Sequence, residues 1–158
     1  MTAEPSAAPD DYRRVMGART DSAFLPIDTT FVGFLGAEFH DEGPGTLSCT
    51  VQVDDRLKQP MGIVHGGIYC AIAETLASMG AAREVGLTRS GEEAPALAVM
   101  GQANSTTFLR PVTEGSIRGV ATCRHRGRTT QMWQIEMFDS LDRLCSLAQV
   151  TMAVRPLR

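Results

Sequence analysis

From Thr46 to Val53 the chain alternates, with Leu47, Cys49, Val51 and Val53 on one side and Thr46, Ser48, Thr50 and Gln52 on the other. That period of two marks a strand with one face on a core. A strand-like run from Thr30 to His40 precedes it, and the Asp-Glu-Gly-Pro-Gly cluster between the two forces a reversal, so the pair reads as a hairpin. Between Met61 and Ala82 the pattern changes to MGIVHGGIYCAIAETLASMGAA, small and apolar on nearly all sides, which predicts a buried helix. A loop containing Gly, Ser, Glu and Pro follows from Gly86 to Pro95. Four more strand-like runs come after it, Ala96 to Leu109, Ser116 to Arg126, Thr129 to Phe138 and Arg143 to Arg155. Their short connections, at 127–128 and 139–142, predict an antiparallel meander. A short helix is expected within Asp11 to Leu25, ending before Pro26, and the Ala-, Pro-, Ser- and Asp-rich residues before it form a tail.

Hairpin, helix and strands in this order make an α+β domain, a sheet of five or six strands wrapped around one long helix. A single layer of sheet covers one side of a helix, so the other side needs a partner, most simply a second copy of the chain. The 158 residues divide into a tail and lead-in over 1–29 and one domain over 30–158. A net charge of −3 gives no general attraction for phosphates, which excludes nucleic acid as a partner and leaves any anionic ligand to a local arginine cluster. No apolar stretch is long enough for a membrane span, and the N-terminus lacks a basic start followed by an apolar run, so a cytosolic protein is expected. Cys49, Cys70, Cys123 and Cys145 lie far apart, and His40, His65 and His125 show no ligand spacing. Neither a metal nor another cofactor is expected.

Within the apolar helix Glu74 is the one residue with a full charge, unless His65 is protonated. A lone buried carboxylate costs several kcal/mol, and no Lys or Arg stands one turn away at positions 70, 77 or 78. Two readings follow: a carboxylate tuned as general base or nucleophile, or a position that faces solvent on a helix less buried than it looks. Ser78, one turn on, shares its face and can hold the carboxylate or a water. His65-Gly66-Gly67 opens the helix, where free amides and the positive end of the helix dipole favour an oxyanion. Arginines accumulate late in the chain, at 110, 118, 124, 126, 128, 143, 155 and 158, and those at 124, 126 and 128 alternate toward one turn. A phosphate patch of that kind and the helix carboxylate together suit a thioester of coenzyme A.

The residues Gln59, Gly62-Ile63-Val64-His65-Gly66-Gly67 and Tyr69-Cys70-Ala71-Ile72-Ala73-Glu74 resemble the helix of the Arthrobacter-type 4-hydroxybenzoyl-CoA thioesterases and the phenylacetic-acid-pathway thioesterases. The similarity continues through Gly101-Gln102-Ala103-Asn104, Thr107-Phe108-Leu109-Arg110-Pro111-Val112, Glu114-Gly115, Arg143-Leu144-Cys145 and Ala153-Val154-Arg155-Pro156. The resemblance implies a hotdog fold, dimers that pair into tetramers, and active sites at subunit interfaces. It implies Glu74 as the catalytic carboxylate and the Gly66 amide as the group that polarises the thioester carbonyl, with Gln59, His65 and Ser78 beside them. It also implies coenzyme A contacts from Gly67, Arg110, Arg128, Thr129, Arg155 and Arg158. Arg128 replaces a small hydroxyl residue of the relatives, and Pro60-Met61 replaces a basic and an aromatic one, so the particular acyl group does not carry over. A hotdog hydratase using Glu74 with His65, and a non-catalytic acyl-CoA binder, are the rival readings.

Overall fold

The computed structural model describes residues 27–87 and 97–156. The helix expected within 11–25, most of the loop before the late strands, and Arg158 lie outside these residues. The described elements are α1 (Phe31–Leu35), β1 (Glu38–Asp41), β2 (Thr46–Gln52), α2 (Gly66–Glu84), β3 (Leu97–Phe108), β4 (Ser116–Arg126), β5 (Thr130–Phe138) and β6 (Leu144–Pro156). No helix among them is long and apolar enough to cross a membrane.

The strand expected over Thr30 to His40 is largely absent. Its first half is the helical turn α1, which Gly36 ends in the left-handed conformation at φ 60°. Gly33 lets this turn fold against the preceding chain, since a Cβ there would stand 2.3 Å from the Ile27 carbonyl oxygen. Only Glu38–Asp41 remain to pair with β2, and they form the predicted hairpin with Glu38 opposite Thr50 and Asp41 opposite Leu47.

One antiparallel sheet of six strands results, in the order β1-β2-β4-β5-β6-β3. β4, β5 and β6 form the meander. β3 departs from it, pairing with β6 along its whole length and lying at the sheet edge. The link from Leu109 to Gly115 is too long for a tight hairpin. It carries the chain past the start of α2, where the Val112 carbonyl accepts the Val64 amide at 2.8 Å.

The sheet curves around α2. Along β5, Gln131, Trp133, Ile135 and Met137 point inward and are buried, and Leu47, Val51, Ile117 and Ala121 join them against Ile72, Ala73, Leu76 and Met79 of the helix. Trp133 fits because Gly80 has no side chain: a Cβ there would lie 2.5 Å from the indole ring. Burial pushes the Cys49 thiol up to about 12 and the Cys145 thiol up to about 11; all four cysteines are free, and Cys70 and Cys123 are only half-buried.

Six strands do not close around the helix. Gly67, Cys70, Ala71, Glu74 and Ser78, spaced as one line along α2, are exposed or half-buried while the residues on either side are covered.

Gly80→Ala sets two effects against each other. Helix propensity favours Ala by about 1 kcal/mol, whereas forcing a methyl group into a filled core costs about 1 to 3 kcal/mol. Because Trp133 is enclosed on all sides, the second effect should win. Urea unfolding followed by the fluorescence of this single tryptophan should show a lower midpoint for the variant, and an equal or higher one would contradict the packing argument.

Candidate active site

A small hairpin delivers the chain to α2. Lys58 bridges Val64, the Gln59 amide donates to the Ile63 carbonyl at 2.9 Å, and the Gly62 amide closes the Gln59-Pro60-Met61-Gly62 turn at 2.8 Å. Gln59 is half-buried on the shoulder of this hairpin, and Met61 stands at its tip, 82% exposed.

His65 then caps the helix with its ring. Its backbone is extended, its Nδ1 accepts the Gly67 amide at 2.9 Å, and its carbonyl accepts the Ile68 amide at 2.9 Å. Two consequences follow for the site. First, the Gly67 amide is taken, and among the described residues the Gly66 amide is the free donor at the helix start, where the dipole favours negative charge. Second, a neutral imidazole whose Nδ1 accepts a hydrogen bond carries its proton on Nε2, so His65 can present a donor outward. Gly66 has a further reason to be glycine, because the Phe108 ring lies against it and a Cβ would approach that ring to 2.9 Å. Phe108 packs in turn on Tyr69, ring centroids 5.8 Å apart. Burial pushes the Tyr69 phenol up to about 12, which keeps it protonated and out of acid-base chemistry near neutrality.

Glu74 projects from the uncovered line of α2, two turns beyond Gly66. Ser78 Oγ donates to Glu74 Oε1 at 2.8 Å. No ion pair to the carboxylate occurs among the described residues. Of the two readings of Glu74, the solvent-facing one describes the single chain: the side chain is exposed, because the sheet stops at the β3 edge beside it. Gly101 of β3 forms the near wall, and a Cβ there would come within 3.1 Å of Oε1. Gly66 and Glu74 are eight residues apart on the helix, about 12 Å at the rise of an α-helix. Within one chain the helix start and the carboxylate thus stand two turns apart.

The arginines divide. Arg155 Nη1 donates to the Thr129 carbonyl at 2.7 Å, and the Val154 amide binds the same oxygen at 3.0 Å, so Arg128, Thr129 and Arg155 form one exposed group. Arg110 sits at the other end of the sheet, its amide on the Cys145 carbonyl at 3.1 Å. Cys145 and Arg155 are ten residues apart on β6, about 30 Å of strand. The alternating arginine patch is smaller than the sequence suggested, since Arg126 pairs with Glu84 and Arg124 binds the Gln134 side chain.

A cavity of about 480 Å³ lies between the 109–115 link and the β5–β6 turn, lined by Val112, Glu114, Asp139 and Arg143 among others. None of the groups just described faces it. Asp139, its most buried charge, is fully engaged by Arg143 Nε at 2.8 Å and by the amides of Leu141 and Arg143 at 3.0 Å. That bonding fixes the turn and leaves Asp139 no free oxygen for catalysis. The candidate groups lie instead on an open surface of the single chain.

A curved sheet of six strands around one long helix, with a free backbone amide at the helix start and a carboxylate midway along it without an ion-pair partner among the described residues, is the arrangement of a hotdog-fold thioester hydrolase. The chain belongs to the thioesterase superfamily, which it matches over residues 61–146. It is 38% identical over 123 residues to the 1,4-dihydroxy-2-naphthoyl-CoA hydrolase of Escherichia coli, covering 78% of this chain and 85% of that protein. A thioesterase of Haemophilus influenzae superposes with a TM-score of 0.72 at 31% identity, covering 83% of this chain and 86% of that one. The E. coli PaaI protein of the phenylacetic acid degradation operon, at 21% identity and a TM-score of 0.66 over 77% of this chain and 80% of its own, shares the fold.

Gly101 and Phe108 were visible in the sequence only as parts of a motif. Their positions against Glu74 and Gly66 depend on a strand edge that no local pattern reveals.

Capping by His65 can be separated from any other role. His65→Ala should cost about 1 kcal/mol of stability through the lost cap, whereas Asn, a strong cap residue, should hold stability within about 0.5 kcal/mol of the parent. Thermal unfolding of the two variants tests this, and equal losses would show that the ring does not act as a cap.

Proposed function

We propose that this protein hydrolyses an aromatic acyl-coenzyme A to the free acid and coenzyme A, with Glu74 as general base or nucleophile. The observation that carries the reading is the carboxylate itself: the one charged residue of α2 before its last turn, held by Ser78 and without a cationic partner among the described residues. In the water-mediated form, Glu74 takes a proton from a water molecule as its oxygen attacks the thioester carbon. The Gly66 amide receives the negative charge on the former carbonyl oxygen, an effect commonly worth about 3 to 4 kcal/mol. Collapse expels the thiolate, which takes up a proton, and the Nε2 side of His65 and the Gln59 amide orient the thioester. In the covalent form Glu74 attacks the carbon itself, the C–S bond breaks and the coenzyme A thiolate leaves, and water then cleaves the resulting anhydride to the acid and the free Glu74 carboxylate. The naphthoyl substrate named for the E. coli relative supports an aromatic acyl group.

The two halves of this machinery come from two copies of the chain. β3 is an edge strand without a charged residue from Leu97 to Phe108, and its Met100 and Phe108 are exposed, as is the adjoining Leu109. Such an edge is an unpaired template unless another strand covers it. A two-fold pairing at β3 runs the two helices antiparallel, so that Glu74 of one subunit can meet the helix start of the other, and the cover desolvates the carboxylate. A tetramer built from two such dimers fits the same reading. In it, the Arg128, Thr129 and Arg155 group and the distant Arg110, with Arg158, receive the phosphates of coenzyme A from different subunits. The cytosol, where acyl-CoA is made and used, is the proposed location, and residues 30–158 are the catalytic domain.

His65 counts against the hydratase alternative. That chemistry asks the ring to accept a proton, but Nδ1 already accepts the Gly67 amide.

Two measurements test this. Thiol release from a panel of aromatic and aliphatic acyl-CoA esters should give a kcat/KM above about 10⁴ M⁻¹s⁻¹ for an aromatic member, and Glu74→Gln should lower it at least about 100-fold while remaining folded. An active Glu74→Gln protein removes the mechanism, and a uniformly aliphatic preference removes the substrate class. Light scattering should give at least twice the chain mass; an active monomer would refute the shared site.

A further inference from the structure

β3 does not keep one alternation along its length. Its register against β6 shifts between Gly101 and Ala103, leaving Gln102 as the extra residue of a β-bulge. Before the bulge, Val99 packs on the core and Gly101 faces the Glu74 carboxylate. In an unbroken strand the next inward positions would be 103, 105 and 107. The inserted residue moves that face to Asn104, Thr106 and Phe108, and the contacts follow: Asn104 reaches α2, Thr106 reaches Asn104, and Phe108 lies on Gly66.

The Asn104 contact falls on a particular atom. Its Nδ2 donates to the Cys70 carbonyl at 2.9 Å, and Thr106 Oγ1 donates to its Oδ1 at 2.7 Å. A carbonyl can only accept, so the orientation of the amide is fixed by its partner. Cys70 O is also the acceptor for the backbone amide of Glu74, four residues on in the same helix. A helical carbonyl already paired in this way does not require a second donor, and Asn is a poor strand residue. Satisfying the backbone does not explain its presence.

We propose that Asn104, steadied by Thr106, is a positioning residue for Glu74. It ties the β3 edge to the turn of helix that carries the carboxylate, and so sets the gap in which the bare Gly101 backbone stands beside Oε1. Ser78 holds that oxygen from the other side along the helix, which leaves Oε2 to face the reacting group. The Gln102 bulge is the device that brings Asn104 to the helix. The kinetic consequence rests on the thioesterase reading of Glu74, while the structural clasp does not.

Two readouts keep these apart. In amide hydrogen exchange by NMR on the full chain, Asn104→Ala should speed exchange at Glu74 at least about tenfold and leave Met79, further along the same helix, unchanged. Equal acceleration at both, or none, overturns the clasp. In steady-state kinetics on an acyl-CoA ester, Asn104→Ala should lower kcat about ten- to a hundredfold with KM within about twofold. Thr106→Val should lower kcat about three- to tenfold, and Thr106→Ser should restore it. A rise in KM alone would mean that Asn104 touches substrate, and an unchanged kcat would mean that Glu74 needs no such support; each overturns the proposal. The Thr106 pair, which keeps the size of the side chain nearly constant, decides the matter if Asn104→Ala does not fold. Should the unaltered protein hydrolyse no acyl-CoA ester, the thioesterase reading fails, and the exchange data still decide the clasp.

Discussion

A helix that is apolar on nearly every side must be covered around its whole circumference, and this constraint governs the rest of the molecule. α2 buries Ile72, Ala73, Leu76, Ala77 and Met79 almost completely against a sheet that curves to reach them. The cover ends at β3, and the line of helix left open holds the one acidic residue in its interior turns. The packing is thus unfinished along the same line that carries Glu74, and whatever covers the rest of that line would enclose the carboxylate with it.

The strands were legible because each buries one face. β2, β4, β5 and β6 lie within a residue or so of the runs read from alternation, and the helix was evident from the loss of any alternation at all. Thr30 to His40 misled for a local reason: its apolar residues suggest a strand, but Gly33 and Gly36 allow a tight helical turn that the pattern of side chains does not encode. The place of β3 was equally hidden. Its neighbour is chosen by the long 109–115 link and by competition for the edge of the sheet, and neither leaves a mark in its own twelve residues.

The site divides in the same way. Glu74 stood out because a lone charge in an apolar helix is costly, and Ser78 followed from the one-turn spacing, which the 2.8 Å hydrogen bond reproduces. The role of His65 as a cap through its ring could not be read, since Ser, Thr, Asp and Asn are the residues that usually announce a helix start. Whether Glu74 is covered or faces solvent stayed open between two readings, because burial by a second copy and burial within one chain would demand the same apolar sequence. The separation of Arg110 from Arg155 comes from their places at opposite ends of β6, a consequence of sheet order rather than of composition.

The bulge in β3 means that this strand is written in two frames. Up to Gly101 the odd positions belong to the helix; from Asn104 onward the even ones do. Straightening the strand without removing a residue would leave every amino acid unchanged and yet turn Ser105 and Thr107, instead of Asn104, Thr106 and Phe108, toward the helix. Moving or losing the bulge therefore remodels what the helix meets. Divergence in this region is then counted in gaps as well as in substitutions, and a comparison that aligns β3 without gaps would pair residues that point in opposite directions.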